Sequence, residues 1–551
     1  MTPLSESTPS GVVAQAVDLR RYPGIRRLAA DYSDGADRLL EFYAGNPNDP
    51  GAWRRAIDLA QAHPRERIGL CDALARQQQH RDAPPEARAA VERLRRPDSV
   101  VVVTGQQAGL FGGPLYTLFK AITALKLAAR IRQDFQVPAE AVFWIESEDH
   151  DWNEVSGCQV LDADLQPATV TLPVPAGAGE KPVASVLLDA SISACIDRLA
   201  EILPPTEFSG SLLTNIRSAY EPGHGMSEAF GRWLESVLGA SGLIVYDAAD
   251  PSTKPLVGHI FGHEAAFAGR TAELAAGAGE RLVALGYHAQ VLPAPGQVSM
   301  FHLDGGRQPI GLVDGRFVVG GRAMDATTLA ELALSTPAAF SPNVLLRPIV
   351  QDAIFPTIAY VAGPNELAYL GQLKAVYADF GVPMPLMYPR ASATLVDSAG
   401  VRFLAKYNVP LEALHARDES TLNRLLESQL PPAVEQALQD ADSTIEQRMR
   451  VLVDALPALD PTLEGAARSV AGRLRHELQG LRGKIIHAAK KRDETLRRQF
   501  GRTQAQAFPG GDAQERSTGF VYFLNRYGPA LIDRLMSDLP IDPGSHWTLT
   551  I

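Results

Sequence analysis

The segment from Val101 to Tyr116 constrains the fold of this chain more than any other stretch. A run of valines leads into a glycine-rich loop, and Pro114 then opens an amphipathic run that continues to Arg130. Glycine lets the backbone approach a ligand closely, and proline suits the first turn of a helix. The free N–H groups of a helix N-terminus attract anions. The segment therefore predicts a strand, a ligand loop and a helix of an α/β sheet.

A second strand of the same sheet is predicted about 40 residues later. The apolar run Ala141–Ile145 leads directly into a stretch of acids with one imidazole. Ligands of open parallel sheets bind beyond the carboxyl ends of the strands, so both polar stretches should face one crevice. We expect Asp149, His150 and Asp151 to be catalytic there, because carboxylates and an imidazole that titrates near neutral pH can act as general bases. The alternatives are a Mg²⁺ site, and acids that merely cap the next segment or are simply solvated.

Later apolar runs predict the rest of the sheet. Gly242–Asp247, Val344–Pro348 and Thr357–Val361 have the length and composition of strands, and Pro385–Arg390 closes this part. Between about 156 and 325, short β runs alternate with helical stretches, and Asp-Gly turns between β runs indicate hairpins. The β runs predicted there are Thr169–Val174, Val183–Leu188, Gln297–Leu303, Ile310–Val313 and Arg316–Val319.

From about residue 411 the pattern becomes almost wholly helical. One long helix is predicted over Pro432–Leu456 and another over about 462–503, with a short turn between them. Apolar residues of the second helix repeat at steps of three and four, which indicates a coiled-coil seam. We expect the two helices to form a long antiparallel arm. The expected seam residues are Leu463, Ala467, Val470, Leu474, Leu478, Leu481, Ile485 and Ala488.

Composition limits the class of protein. The chain has 551 residues, of which 46% are hydrophobic and 21% charged, as in a globular protein of several domains. A net charge of −11 argues against a general nucleic-acid or membrane-surface binder, and no apolar run is long enough to span a bilayer. The first 11 residues lack the apolar core of a signal peptide. Cys71, Cys158 and Cys195 show no CxxC spacing, which favours a cytoplasmic protein without a disulfide framework.

Five motifs resemble, in their order, those of the bacillithiol-biosynthesis cysteine-adding enzymes, the BshC family. The resemblance spans nearly the whole chain. It implies a Rossmann-like core related to class I aminoacyl-tRNA synthetases, with inserted connective segments and a coiled-coil arm that supports a homodimer. The synthetases' own His-x-Gly-His and Lys-Met-Ser-Lys-Ser signatures are absent, so other residues must handle phosphates. The five motifs are Thr104–Phe111, Gly113–Tyr116, Glu148–Asp151, Gly363–Glu366 and Gln514–Arg516.

The patterns along the chain, together with this resemblance, predict its division, with the inserted connective segments at about 156–325 of the core. We expect a helical part at 1–98, the core at 99–400, the arm at 411–505 and a return to the core at 506–551.

The motifs also supply candidate binding residues. Arginine offers a bidentate fork to carboxylates and phosphates. The substrate implied by the resemblance carries the carboxylates of malate, and a nucleotide carries phosphates. Glu366 fits either an amino-group ligand or a complement to its helix dipole. The expected substrate-binding residues are Gly105, Gln106, Gln107, Gly109, Gly113, Tyr116, Asn365, Glu366 and Arg347, and the expected nucleotide-binding residues are Arg390, Gln514 and Arg516.

The function implied by the resemblance is ligation of cysteine to glucosaminyl-malate, which yields bacillithiol. ATP would activate the cysteine carboxylate, so ATP or ADP is the expected cofactor, with Mg²⁺ as a further candidate. One alternative is a nucleotide-binding scaffold whose arm recruits a partner that performs the chemistry. Another is an adenylate-forming ligase for a different amino acid.

Overall fold

The computed structural model describes residues 15–175, 178–313, 315–416, 418–492 and 494–551. The chain divides into two compact units. The first contains the described residues up to Leu395 together with Asp512–Ile551, and the second contains Val396–Gly511. The first 11 residues and Asp314, part of a predicted Asp-Gly turn, lie outside the described residues.

The first unit is built on a parallel sheet of five strands. Numbered along the chain, the strands lie in the order 3-2-1-4-5, which is the order of the doubly wound Rossmann fold. The order reverses between the first and fourth strands, and a crevice opens at their carboxyl ends. In this order, 3-2-1-4-5, the strands are Ile244–Asp247, Ala139–Glu146, Val100–Gln107, Thr357–Ala362 and Leu386–Pro389.

Helices bury these strands. Helix Leu115–Phe135 packs against the first two strands, and the N-terminal helices Pro50–Ala62 and Arg67–Arg81 pack against the fourth and third. The valines of Val100–Gln107 are fully buried, as a strand covered on both faces requires. The other helices of this unit are Arg27–Ser33, Pro85–Leu94, Trp152–Val155, Ser191–Ile202, Ser209–Ala219, Met226–Leu238, Gly258–Ala266, Arg270–Ala284, Ala326–Ser335, Arg347–Ile354, Pro364–Leu370, Lys374–Asp379, Gln514–Ser517, Phe520–Tyr527 and Ala530–Asp538.

Short sheets occupy the inserted segments and one border of the unit. The hairpin predicted from Ile310–Val313 and Arg316–Val319 is confirmed, because strands Gly311–Val313 and Arg316–Val319 pair. Met300–Leu303 belongs to a separate sheet. The small sheets comprise Gly157–Leu161 with Pro167–Thr171, Phe340–Pro342 with Met300–Leu303 and Arg307–Pro309, Gly311–Val313 with Arg316–Val319 and Arg322–Met324, and Gln15–Asp18 with Ser545–Thr550 and Ser392–Val396.

Two predicted strands are wrong. Val183–Ser185 forms a 3₁₀ turn rather than a β run. Val344–Pro348 contains the start of helix Arg347–Ile354 instead of a sheet strand. The side chain of Asn343 accepts hydrogen bonds from two N–H groups just before this helix, and proline occupies its first turn, so a local turn and the proline favour a helix start over a strand.

The second unit is helical. Its two longest helices are Pro432–Ala455 and Leu463–Arg492, which contact each other. Ion pairs join Arg475 to Asp442 and Arg482 to Glu435. The remaining helices of this unit are Ser398–Tyr407, Ser420–Ser428 and Glu494–Ala507.

The predicted seam of the second long helix is correct only in part. Ala467 is buried, and Leu478 and Ile485 are half-buried. The five other members of the predicted seam are exposed: Leu463, Val470, Leu474, Leu481 and Ala488. Among the described helices of both units, none combines the length and the apolar composition needed to cross a membrane.

Candidate active site

A cavity of about 760 Å³ opens at the carboxyl ends of the sheet strands. The end of the first strand, Gly105–Gln107, and the end of the second, at Glu146, line it together with the segment Gly363–Glu366 that follows the fourth strand. These residues come from both sides of the point where the strand order reverses, which is where doubly wound sheets bind ligands. The cavity is therefore the candidate active site.

The glycines of the predicted loop have different structural roles. A Cβ on Gly105 would lie 2.8 Å from the carbonyl oxygen of Trp144, so only glycine fits the pairing of the two strands here. A Cβ on Gly109 would lie 3.0 Å from Cα of Gly113, which has a φ of +76°. Gly109 and Gly113 are absent from the cavity lining, so they shape the turn rather than contact a ligand there.

A backbone carbonyl of the protein occupies a free N–H group at the start of the helix after this loop. The N–H of Leu115 donates to the carbonyl of Thr518 at 2.8 Å, which satisfies one donor of the helix N-terminus. Tyr116, one residue later, lines the cavity, and its hydroxyl accepts a hydrogen bond from Gln106 Nε2 at 3.3 Å. The side chains of this segment, more than its helix dipole, therefore face the cavity.

A buried lysine that sequence reasoning missed joins the two sides of the cavity. Lys120 Nζ donates to the carbonyl of Gly105 at 2.8 Å and to Gln106 Oε1 at 3.1 Å, and it lies 2.5 Å from Glu366 Oε2. Burial lowers the pKa of Lys120, against the attraction of Glu366. The signal available in the sequence was a lysine flanked by apolar residues within an amphipathic helix.

Glu366 is held as a carboxylate by several donors. Its Oε1 accepts from the hydroxyl of Tyr360 at 2.8 Å, and its Oε2 accepts from the N–H of Gly363 at 2.7 Å. Burial favours a higher pKa for Glu366, but Lys120 and these hydrogen bonds keep that pKa below its ordinary value. The Gly363 bond caps the helix, so Glu366 supports its helix start, as one of the two expected roles requires. The neighbouring Asn365 is exposed at the cavity.

Asp149 is tied to both the loop and the inserted segment. It accepts hydrogen bonds from Gln107 Nε2 at 3.0 Å and from Arg307 Nη1 at 2.8 Å. Arg307 was missed from the sequence because it lies in a short strand far along the chain; it also donates to Pro342 and lies over the ring of Phe301. Gln107 Oε1 is buried and accepts no hydrogen bond within the described residues, so it is available to a ligand donor.

His150 and Asp151 lie outside the lining of the large cavity. With Asp149 they line a smaller neighbouring cavity of about 470 Å³, and His150 Nδ1 lies 3.3 Å from Asp149 Oδ1. Asp151 Oδ1 accepts two N–H groups of the short helix Trp152–Val155, which is the capping role left open by the sequence. Within the described ranges, no three His, Cys, Asp or Glu side chains are arranged to hold a metal ion.

Glu146 lies in the cavity beside Arg347. The indole N–H of Trp144 donates to Glu146 Oε2 at 3.1 Å, and Arg347 Nε lies 3.6 Å from the same oxygen. Burial raises the pKa of Glu146 to about 7, although the charge of Arg347 opposes the rise. Arg347 also donates to Gln351 and to the hydroxyl of Tyr369. Glu146 was not among the predicted catalytic residues, although its place at a strand end was visible in the sequence.

The three expected nucleotide-binding residues differ in their surroundings. Arg390 lines the cavity, but its guanidinium forms a bidentate pair with Glu515 at 2.6 and 3.0 Å. Gln514 is buried, hydrogen-bonds the backbone of Leu395 in both directions, and does not line the cavity. Arg516 lines the cavity and has no side-chain hydrogen bond or ion pair to the described residues. Of the three, Arg516 is therefore available to an anion.

Two family models match the chain. "Bacillithiol biosynthesis BshC, N-terminal Rossmann-like domain" matches residues 14–391, and "Bacillithiol biosynthesis BshC, C-terminal coiled-coil domain" matches residues 393–551. The chain belongs to the BshC family. This confirms the resemblance inferred from the five motifs, and the Rossmann-like and coiled-coil descriptions agree with the strand order and the paired long helices.

Relatives in the BshC family match over nearly their whole length. A protein of Salinibacter ruber is 34% identical over 94% of this chain and 95% of its own. A protein of Geobacillus thermodenitrificans is 32% identical over 95% of this chain and 98% of its own. A protein of Chlorobaculum tepidum is 31% identical over 93% of this chain and 94% of its own. Each carries the name "Putative cysteine ligase BshC".

Proposed function

We propose that this protein is a cysteine ligase that joins the carboxylate of cysteine to the amine of glucosaminyl-malate and thereby forms bacillithiol. Family membership and the printed names of the relatives support the cysteine and bacillithiol parts. The observation that carries the proposal is the cavity at the strand-order reversal. Its volume of about 760 Å³ lies within the range of small-molecule sites, about 300–1,000 Å³.

Nucleotide-dependent activation is the second part of the proposal. A free carboxylate resists attack by an amine, and ATP, with Mg²⁺ as its counter-ion, supplies the phosphate-containing leaving group when bound. Arg516 fits an anion, since its guanidinium has no hydrogen bond or ion pair among the described side chains. Arg390 would act differently, because its pairing with Glu515 makes it a support for the ring of Tyr116, 5.4 Å away.

The polar loops would bind the substrates. Gln107 Oε1 would accept a hydrogen bond from a ligand, and Asn365 would offer its side-chain amide from the other side of the cavity. Lys120 and Glu366 would hold the two loops in place rather than contact the substrate, since each already pairs with the other.

We further propose that the core is related to class I aminoacyl-tRNA synthetases and that the two long helices form an antiparallel arm that supports a homodimer. The pairs Arg475–Asp442 and Arg482–Glu435 support the antiparallel direction. The exposed side chains of Val470 and Leu474 supply apolar surface that a second copy would cover.

Sedimentation tests the dimer. We expect V470S/L474S to sediment as a monomer, and a variant chain that remains dimeric at micromolar concentration would overturn this interface.

A single-turnover assay with ATP, cysteine and glucosaminyl-malate tests the reaction. We expect the mass of bacillithiol together with stoichiometric nucleotide turnover. Absence of product with every nucleotide and divalent cation tried would overturn the proposal. Pyrophosphate exchange driven by another amino acid would instead favour a ligase of different specificity, and tight nucleotide binding without turnover would favour the scaffold.

A further inference from the structure

We infer that Glu146 is the group that takes the proton from the attacking amine during amide formation. This inference rests on the proposed ligase function and assigns a residue to one of its steps. It replaces the expectation from the sequence that His150, Asp149 or Asp151 has this task.

Hydrogen bonds and exposure to solvent together separate Glu146 from the other carboxylates of the cavity. Glu146, Asp149, Glu154 and Glu366 all line the cavity. Glu154 accepts one hydrogen bond from Gln107, as Glu146 does from Trp144, but Glu154 is exposed to solvent. Asp149 accepts from Gln107 and Arg307, and Glu366 has a lysine, a hydroxyl and a backbone N–H. A carboxylate already filled with donors is a poor proton acceptor, because protonation breaks those bonds.

One oxygen of Glu146 is left open. Oε2 takes the indole N–H of Trp144 and lies nearest to Arg347. Oε1 accepts no hydrogen bond from any described residue. The side chain is only 18% exposed, so an amine in the cavity would meet this oxygen with little competing water. The indole bond fixes the carboxylate in a single orientation, which a proton acceptor needs.

Charged groups from several elements surround Glu146. Arg347 and Arg307 favour its ionised form, whereas Glu148, two residues later on the chain, disfavours it. The hydroxyl of Tyr369 also lies within electrostatic range. Burial dominates these effects and raises the pKa of Glu146 to about 7, which suits a base that works near neutral pH.

The step balances as follows. Glu146 takes one proton from the ammonium group of the amino sugar, and the freed lone pair forms the C–N bond at the activated cysteine carboxyl carbon. The C–O bond to the phosphate-containing leaving group then breaks, and its electron pair departs with that group. The second N–H proton leaves with the departing phosphate oxygen, and a neutral amide remains.

The pH dependence of E146Q tests this assignment. In the unmodified protein, kcat should rise with pH and level off above an apparent pKa near 7, because the base must be ionised. We expect kcat of E146Q to fall at least 100-fold, with KM for cysteine nearly unchanged. The rise of kcat with pH on the acidic side of the profile, the acid limb, should also disappear in E146Q. E146D should retain the limb at an intermediate rate, since it keeps a carboxylate.

Glu264 provides a matched control. Its pKa is also raised by burial to about 7, but it does not line the cavity and instead accepts hydrogen bonds from Thr271 and Ser299. We expect E264Q to keep the acid limb. Loss of the limb in E264Q and its retention in E146Q would overturn the inference.

A partial reaction separates this inference from the proposed function. Activation of cysteine does not require the amine, so E146Q should retain cysteine-dependent nucleotide turnover while amide formation is lost. Absence of amide from the unmodified protein would overturn the proposed function. Amide formation by E146Q at the normal rate and with the normal pH profile would overturn the role of Glu146 alone.

Discussion

Glu146 ends the second strand of the sheet and Glu366 lies just after the fourth, on opposite sides of the first strand. Both line the same cavity, yet their protonation equilibria shift in opposite directions. Glu366 lies 2.5 Å from Lys120 Nζ and accepts hydrogen bonds from a hydroxyl and a backbone N–H. Glu146 accepts one indole N–H and has an arginine at 3.6 Å. Burial by itself favours a higher pKa for both carboxyl groups. Only Glu366 has enough donors to reverse this effect, so its pKa is lowered while that of Glu146 is raised.

This difference separates two roles that the residue type alone does not distinguish. A carboxylate that stays ionised and saturated with donors, such as Glu366, holds the surrounding backbone in position. A carboxylate that ionises near neutral pH and keeps one oxygen open, such as Glu146, can exchange a proton with a ligand. The number of donors within reach, more than burial, decides between them.

Removal of Lys120 should have the largest effect on this contrast. K120M leaves the buried carboxylate of Glu366 without its cation, which typically costs about 3–5 kcal/mol of unfolding free energy. Urea denaturation of the two proteins at pH 7.5 measures the loss. The double variant K120M/E366Q should recover part of it, and a loss below about 1 kcal/mol in K120M would show that the pair does not hold the loops together.

Opposite changes in stability are expected when each glutamate becomes glutamine at pH 8. The raised pKa of Glu146 means that its contribution to stability is present below its unfolded pKa and is lost as pH rises through about 7. At pH 8 the ionised carboxylate of Glu146 is buried at a cost in unfolding free energy. Glutamine carries no charge, so E146Q should stabilise the protein by roughly 2–3 kcal/mol at pH 8.

Glu366 provides the reverse case. Its lowered pKa contributes stability above the unfolded pKa, which is lost as pH falls through the folded pKa. E366Q should therefore destabilise the protein at pH 8. Denaturation curves at pH 5 and pH 8 check both signs, and two changes of the same sign would contradict the contrast.

A smaller effect should distinguish the paired and unpaired cations of the cavity. Arg516 has no hydrogen bond or ion pair to the described part of the chain, so R516A should leave stability within about 0.5 kcal/mol. It should raise KM for the nucleotide about tenfold, as the loss of roughly 1.4 kcal/mol of binding would. R448A, on an exposed arginine outside the cavity lining, is the control and should change neither quantity.

The main sheet was predictable because its strands are continuous apolar runs. Val100–Gln107, Ala139–Glu146 and Thr357–Ala362 lie where the sequence predicts them, since strands buried on both faces carry no alternation to misread. Val344–Leu346 is also apolar, yet it leads into a helix because the side chain of Asn343 accepts hydrogen bonds from the N–H groups of Leu345 and Leu346 and turns the chain there. Local hydrogen bonds of this kind are invisible in an apolar pattern.

The cavity was predictable where its residues lie next to strand ends. Gly105, Gln106, Gln107, Tyr116 and the segment Asn365–Glu366 all line it, as the position of their motifs suggests. Lys120 and Arg307 were missed, because one lies inside an apolar helix and the other in a short strand of an inserted segment. Their functional neighbours come from distant parts of the chain, so no local pattern indicates them.

The sequence by itself determined the family, the parallel sheet and the place of the crevice, because motifs, apolar runs and the ends of strands are local properties of the chain. The tertiary structure decided which acids in that crevice are filled with donors and which remain open. It placed Lys120 against Glu366, set Asp151 to cap a helix and left one oxygen of Glu146 without a hydrogen bond in the described residues. Protonation depends on burial and on donors brought together by folding, and neither is a property of a residue's neighbours in sequence.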